Sequence, residues 1–186
     1  MNRLGTICLA AALALGGPAL AASKADKQQE VRQTAQGTLD RLYKSQPKAK
    51  AAIERSAGYA VFSNFGMKIL VAGGGSGSGI AVNTKAKKET FMKMVEVQAG
   101  LGIGVKKFRL VWVFEKASDL DKFINSGWEL GAQATASAQM SGQGMEAYAG
   151  AMSISPGVWL YQLTDDGLAV ELTAKGTKYY KDSDLN

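Results

Sequence analysis

The chain has 186 residues, no histidine, one cysteine and a formal charge of +6 from 22 Lys and Arg against 16 Asp and Glu. Its cysteine, Cys8, lies in a leader segment, so the remainder holds no disulfide, thiolate site or imidazole metal centre. That excludes most familiar catalytic machinery, and neither a cofactor nor a metal is expected.

Residues 1–21 have a charged start at Arg3, an apolar run over 4–15 and an Ala19-Leu20-Ala21 site, which together read as a secretory signal peptide cleaved after Ala21. Cys8 sits inside the apolar run, so a lipoprotein anchor is not expected. Export places the mature chain, residues 22–186, in the periplasm or outside the cell as one domain, peripheral at a membrane.

Helical periodicity begins at residue 23. Val31, Ala35, Leu39 and Leu42 share one helix face, with Ser23 or Asp26 as the cap. A shorter helix is expected from Pro47 toward Gly58. Over residues 24–55, eight basic side chains face four acidic ones. Ser45-Gln46-Pro47-Lys48 matches an S-x-x-K catalytic motif, but its partner motifs are absent, and a cap followed by proline explains it better.

Residues 57–79 read AGYAVFSNFGMKILVAGGGSGSG, and residues 98–114 read QAGLGIGVKKFRLVWVF. Strand side chains alternate faces, so Gly73, Gly75, Gly77 and Gly79 leave one face bare for close packing. No lysine of a phosphate loop follows these glycines, and the dinucleotide fingerprint fails in register. Strands over 80–83 and 90–98 are joined by a basic turn. Met92, Met94 and Glu96 fall on one face, Phe91, Lys93 and Val95 on the other. Lys106, Lys107 and Arg109 are assigned to the following connection; if both turns lie at one end of the sheet, they make one basic patch. Residues 110–114 are a buried central strand.

Ser118 is the expected cap of a short helix through Leu120 and Phe123. Alternating alanines over 130–140 predict another small-residue strand, and further strands are expected over 147–153, 158–163 and 168–173, with a turn at Thr164-Asp165-Asp166-Gly167. From Lys175 onward the chain reads as a polar tail. Neither Asp119 and Asp121 nor Asp165 and Asp166 are spaced as opposed catalytic carboxylates, and no nucleic-acid reader motif is present.

The two glycine motifs, in this order and spacing, resemble the SYLF domain over about residues 31–180. This lipid-binding module occurs in bacterial exported proteins and in eukaryotic membrane and actin regulators. The resemblance implies binding of anionic phospholipids, phosphoinositides in eukaryotic members, aided by a basic amphipathic helix ahead of the first motif. In the yeast branch it also implies contact with actin filaments. Here Lys85-Ala86-Lys87-Lys88-Glu89-Thr90 replaces the eukaryotic Trp-Ser-x-Pro signature.

The expected fold is α+β, with N-terminal helices on a curved, mainly antiparallel sheet or partly closed barrel. The expected function is non-catalytic binding of an anionic phospholipid membrane through Lys24, Lys27, Arg32, Arg41 and Lys44 on the first helix and through Lys85, Lys87, Lys88, Lys106, Lys107 and Arg109. The alternative is an envelope protein-interaction or scaffold module, whose partner would be another envelope protein.

Overall fold

The computed structural model describes residues 22–69, 72–99, 104–130, 146–164, 167–168 and 176–186. The expected leader, the connection at 100–103 and nearly all of the alanine strand and of the strand expected over 168–173 lie outside these residues. Helix α1, Lys24–Ser45, starts where Ser23 Oγ accepts from the Asp26 amide and the Asp26 carboxylate accepts from the Ser23 amide, a reciprocal cap. Ala35, Thr38, Leu39 and Leu42 are its buried stripe. Proline at its first position then starts helix α2, Pro47–Arg55.

Among the described residues nine strands form one sheet: β1 Gly58–Ile69, β2 Ala72–Asn83, β3 Lys88–Ala99, β4 Gly104–Phe114, β5 Trp128–Leu130, β6 Met152–Ser155, β7 Val158–Thr164, β8 Gly167–Leu168 and β9 Thr177–Lys181. Their order is β5-β9-β3-β2-β1-β4-β7-β6, with β8 beside β7, and every described pairing is antiparallel. The sheet curls into a half-barrel, as the α+β expectation requires.

Alternation along the strands separates two cores. On one face, Phe62, Met92, Met94, Trp112, Phe114 and Tyr179 surround Leu120 and Phe123 of helix α3, Ala117–Asn125. Ring centroids of Phe62 and Tyr179 lie 4.9 Å apart, and those of Trp112 and Phe123 5.4 Å. On the other face, Val61, Ile80, Phe91, Val111 and Tyr161 meet α1 and α2. The apolar run 110–114 is central, flanked by β1 and β7.

The glycines of β2 pack as their spacing implies. Gly79 pairs with Phe62 and Met92, and an added Cβ would strike the Phe62 ring and come within 2.5 Å of the Val61 carbonyl. At Gly77 it would meet the Ser63 carbonyl at 2.5 Å and Met94 Cγ at 2.8 Å. Neighbouring large side chains therefore fill the space that the bare stripe leaves.

Four sequence expectations change. Lys116, not Ser118, holds the N-cap position of α3, because the helix starts two residues earlier than a serine cap would allow. The strand expected at 147–153 is a 3₁₀ turn, Glu146–Tyr148, followed by β6, because the Tyr148 ring stacks on Trp159 at 4.5 Å and stays with the core. The polar tail contains β9, which fills the gap between β5 and β3. Lys106, Lys107 and Arg109 are inside β4, not in a connection, because the backbone ladder with β1 extends to Gly104.

Replacing Gly79 with alanine should lower unfolding free energy by about 1–3 kcal/mol through overpacking. Gly37 of α1 has nothing within 4 Å of an added Cβ, so Gly37→Ala should raise stability by about 1 kcal/mol. Urea denaturation of both variants checks the pair of opposite signs.

Candidate functional site

The basic side chains divide into three groups. Lys85 and Lys87 lie in the β2–β3 turn and Lys88 begins β3; all three are exposed. The Asn83 side chain accepts from the Ala86 amide at 2.8 Å, and Lys87 adopts φ 54°, so the turn is tight and defined. Left-handed backbone disfavours a side chain with a Cβ, yet lysine stands there.

The second group is on α1. Lys24, Lys27, Gln28 and Val31 continue the buried stripe by three- and four-residue steps toward the N-terminus, which points them at the sheet and not away from it. Lys24 Nζ donates to the Asn186 carbonyl at 2.7 Å, and Gln28 Nε2 to the Leu185 carbonyl at 2.7 Å. Arg32 pairs with Glu89 at 2.8 Å and lies 5.0 Å from the centroid of the Phe91 ring. Arg41 and Lys44, on the later turns, are exposed.

The third group does not form the joint patch expected with the turn lysines. Lys106 and Lys107 stand opposite Gly66 and Phe65 in the register with β1. The turn after β2 and the connection after β3 lie at opposite ends of β3, roughly 35–40 Å apart for a strand of its length. Arg109 instead helps to line a groove beneath α1.

That groove, of about 690 Å³, runs between the N-terminal half of α1, strands β1 to β4 and the segment after β9. Val31, Val61, Phe108 and Tyr180 give it apolar walls, and Ser63, Ser76 and Ser78 add hydroxyls. The segment after β9 acts as a strap. Leu185 is buried in the helix-side core, while the Asn186 side chain donates to the Phe91 carbonyl at 2.7 Å and accepts from its amide at 2.9 Å, as a neighbouring strand would.

Lys93 fastens the strap. Its Nζ lies 2.9 Å from Asp182 and 2.9 Å from Asp184. Asp184 and then Asp182 hold the lysine well above its ordinary pKa. Hydrogen bonding and charge from Lys93, with contributions from Lys27 and Lys24, keep the Asp184 carboxyl below the usual range. Lys93, the two aspartates and Leu185 were not among the candidate site residues. Leu185 within a polar stretch, and the alternation Thr177, Lys178, Tyr179, Tyr180, were the available signals.

No metal-binding group of three or more acidic, histidine or cysteine side chains occurs among the described residues. None of the described helices is long and apolar enough to cross a membrane.

A family model described as "Las17-binding protein actin regulator" (Ysc84) matches residues 95–186, from the middle of β3 through the strap. The chain belongs to the SYLF (Ysc84) family. The strap thus falls within the matched SYLF region, while Lys93, α1 and the turn lysines precede it. A curated relative, "Beta cell expansion factor A" of Aeromonas veronii, is 33% identical over 151 residues, 79% of this SYLF chain and 54% of the relative. The chain therefore spans about half the length of that relative. The family relates to lipid-binding or actin-related modules.

A carboxyl with a depressed folded pKa contributes stability above its unfolded pKa, near 4, and loses it as pH falls through the folded value. Strap docking should therefore weaken on acidification from pH 6 to pH 3. The protection factor of the Phe91 amide, read by hydrogen exchange, should fall severalfold over that interval. In Asp184→Asn it should start lower and change less.

Proposed function

We propose that this SYLF protein is a non-catalytic module that binds anionic phospholipid surfaces, peripheral at a membrane after export. The observation that carries the reading is the β2–β3 turn, where Lys87 occupies a left-handed position beside exposed Lys85 and Lys88. A glycine would hold that backbone with less strain, so the turn keeps a cation at a local cost, as sites of function do. Each lysine near an anionic leaflet contributes about 1 kcal/mol. Three on one tip suffice for salt-sensitive attachment. Arg41 and Lys44 extend the cationic surface, while Lys24, held by the Asn186 carbonyl, and Arg32, held by Glu89, enter with Lys27 only where the strap and Glu89 give way. Phosphoinositides are the headgroups that the family resemblance favours among anionic lipids.

Co-sedimentation with neutral and phosphatidylglycerol vesicles at low and high salt tests the reading. Wild-type chain should bind anionic vesicles alone and release at high salt, since screening acts over about 8–10 Å at ordinary ionic strength. Changing Lys85, Lys87 and Lys88 to glutamate should abolish binding. Lys87→Gly should separate the two roles of the turn: about 1 kcal/mol more stable, yet weaker on vesicles. Equal binding by wild type and the triple variant would refute the tip assignment.

A second reading, attachment to another protein, rests on the family description as a protein-binding actin regulator. It expects a partner retained by the triple glutamate variant and indifferent to vesicle charge.

A further inference from the structure

The groove beneath α1 combines an apolar wall, serine hydroxyls and a lysine already holding an exposed carboxylate. Lys93 has two acidic partners of unequal character. Asp182 has 3% of its side chain exposed and also accepts from the Asp184 amide through Oδ1, so it is a structural counter-charge. Asp184 is 79% exposed, and an ion pair so open to water holds weakly against competing anions. Leu185 and Asn186 anchor the backbone on either side of α1 and β3, so Asp184 can swing away by side-chain rotation alone.

Charge balance points the same way. Lys27, Lys93 and Arg109 line this groove against Glu30, Asp182 and Asp184, a balance that leaves one positive charge in excess when Asp184 turns outward, and Lys24 beside the strap adds to the positive charge acting on Asp184. We propose that Lys24, Lys27 and Lys93 form a phosphate subsite for one membrane lipid headgroup, and that Asp184 is its built-in placeholder, displaced when the headgroup enters. The inference rests on the lipid-binding reading and assigns it a second, internally guarded site distinct from the turn lysines. The groove's volume lies within the range of small-ligand sites, and Val31, Val61 and Tyr180 are placed to meet the start of an acyl chain.

The experiment measures half-saturating lipid on phosphatidylglycerol vesicles for wild type, Asp184→Asn and Asp121→Asn. Asp121 lies exposed on α3, across the sheet from the groove, so its variant removes the same unit of charge elsewhere. Asp184→Asn should bind about fivefold tighter than wild type, the worth of one charge near the surface, and Asp121→Asn less than about twofold tighter. Equal gains in both variants, or none, would overturn the placeholder while leaving the lipid-binding reading intact. If wild type does not bind, binding by Asp184→Asn alone supports the subsite, and binding by neither variant overturns both readings. Inorganic phosphate at matched ionic strength, followed through the Lys27 and Lys93 amide shifts, is the second arm. A response to phosphate without a vesicle gain would assign the site to small anions and overturn the lipid assignment.

Discussion

The structure depends on the missing side chains of β2. Because Gly77 and Gly79 carry no Cβ, Met94 and Phe62 can fold over the strand and meet the aromatic group around Phe123. That lets the sheet curl around α3 with a continuous core. Close packing of this kind is intolerant of added volume, which explains why the glycine-rich run is a core element and not a ligand loop.

The opposite face inherits a different problem. Two short amphipathic stripes must cover a sheet wider than themselves, and that of α1 from Ala35 to Leu42, with Ala49, Ala52 and Ile53 of α2, leaves the part under the N-terminal turns of α1 uncovered. Toward the N-terminus of α1 the same stripe becomes Lys24, Lys27 and Gln28, which cannot bury against apolar strands. The chain resolves this with the segment after β9: its carbonyls and carboxylates receive those side chains, and Leu185 continues the core. A groove remains where helix, strap and sheet fail to close completely.

Local periodicity made much of this legible. The α1 stripe, the Ser23 cap, the proline start of α2, the two faces of β3 and the central apolar strand all follow from spacing within a dozen residues. What escaped depends on distant partners. The strand at 177–181 is half polar, and only its place between β5 and β3 makes Thr177 and Tyr179 buried. Lys24 and Lys27 looked like a solvated or lipid-facing surface because no local signal ties them to residues 184–186. Among the basic residues, the turn at 84–87 was read in the right place, since hairpin chemistry is local. The union of that turn with Lys106 and Lys107 failed on connectivity: successive turns of a meander lie at alternate ends.

Insertion of β9 between β3 and β5 bears on how the molecule is made. Met92 waits for Lys181, and Trp128 for Tyr179, so the sheet cannot be completed while the chain is still emerging from its N-terminal end. Closing such distant pairings is slow, and until β9 arrives the outer edge of β3 is an unpaired template for association. The strand that completes the sheet is therefore also the one that closes this edge against a second molecule.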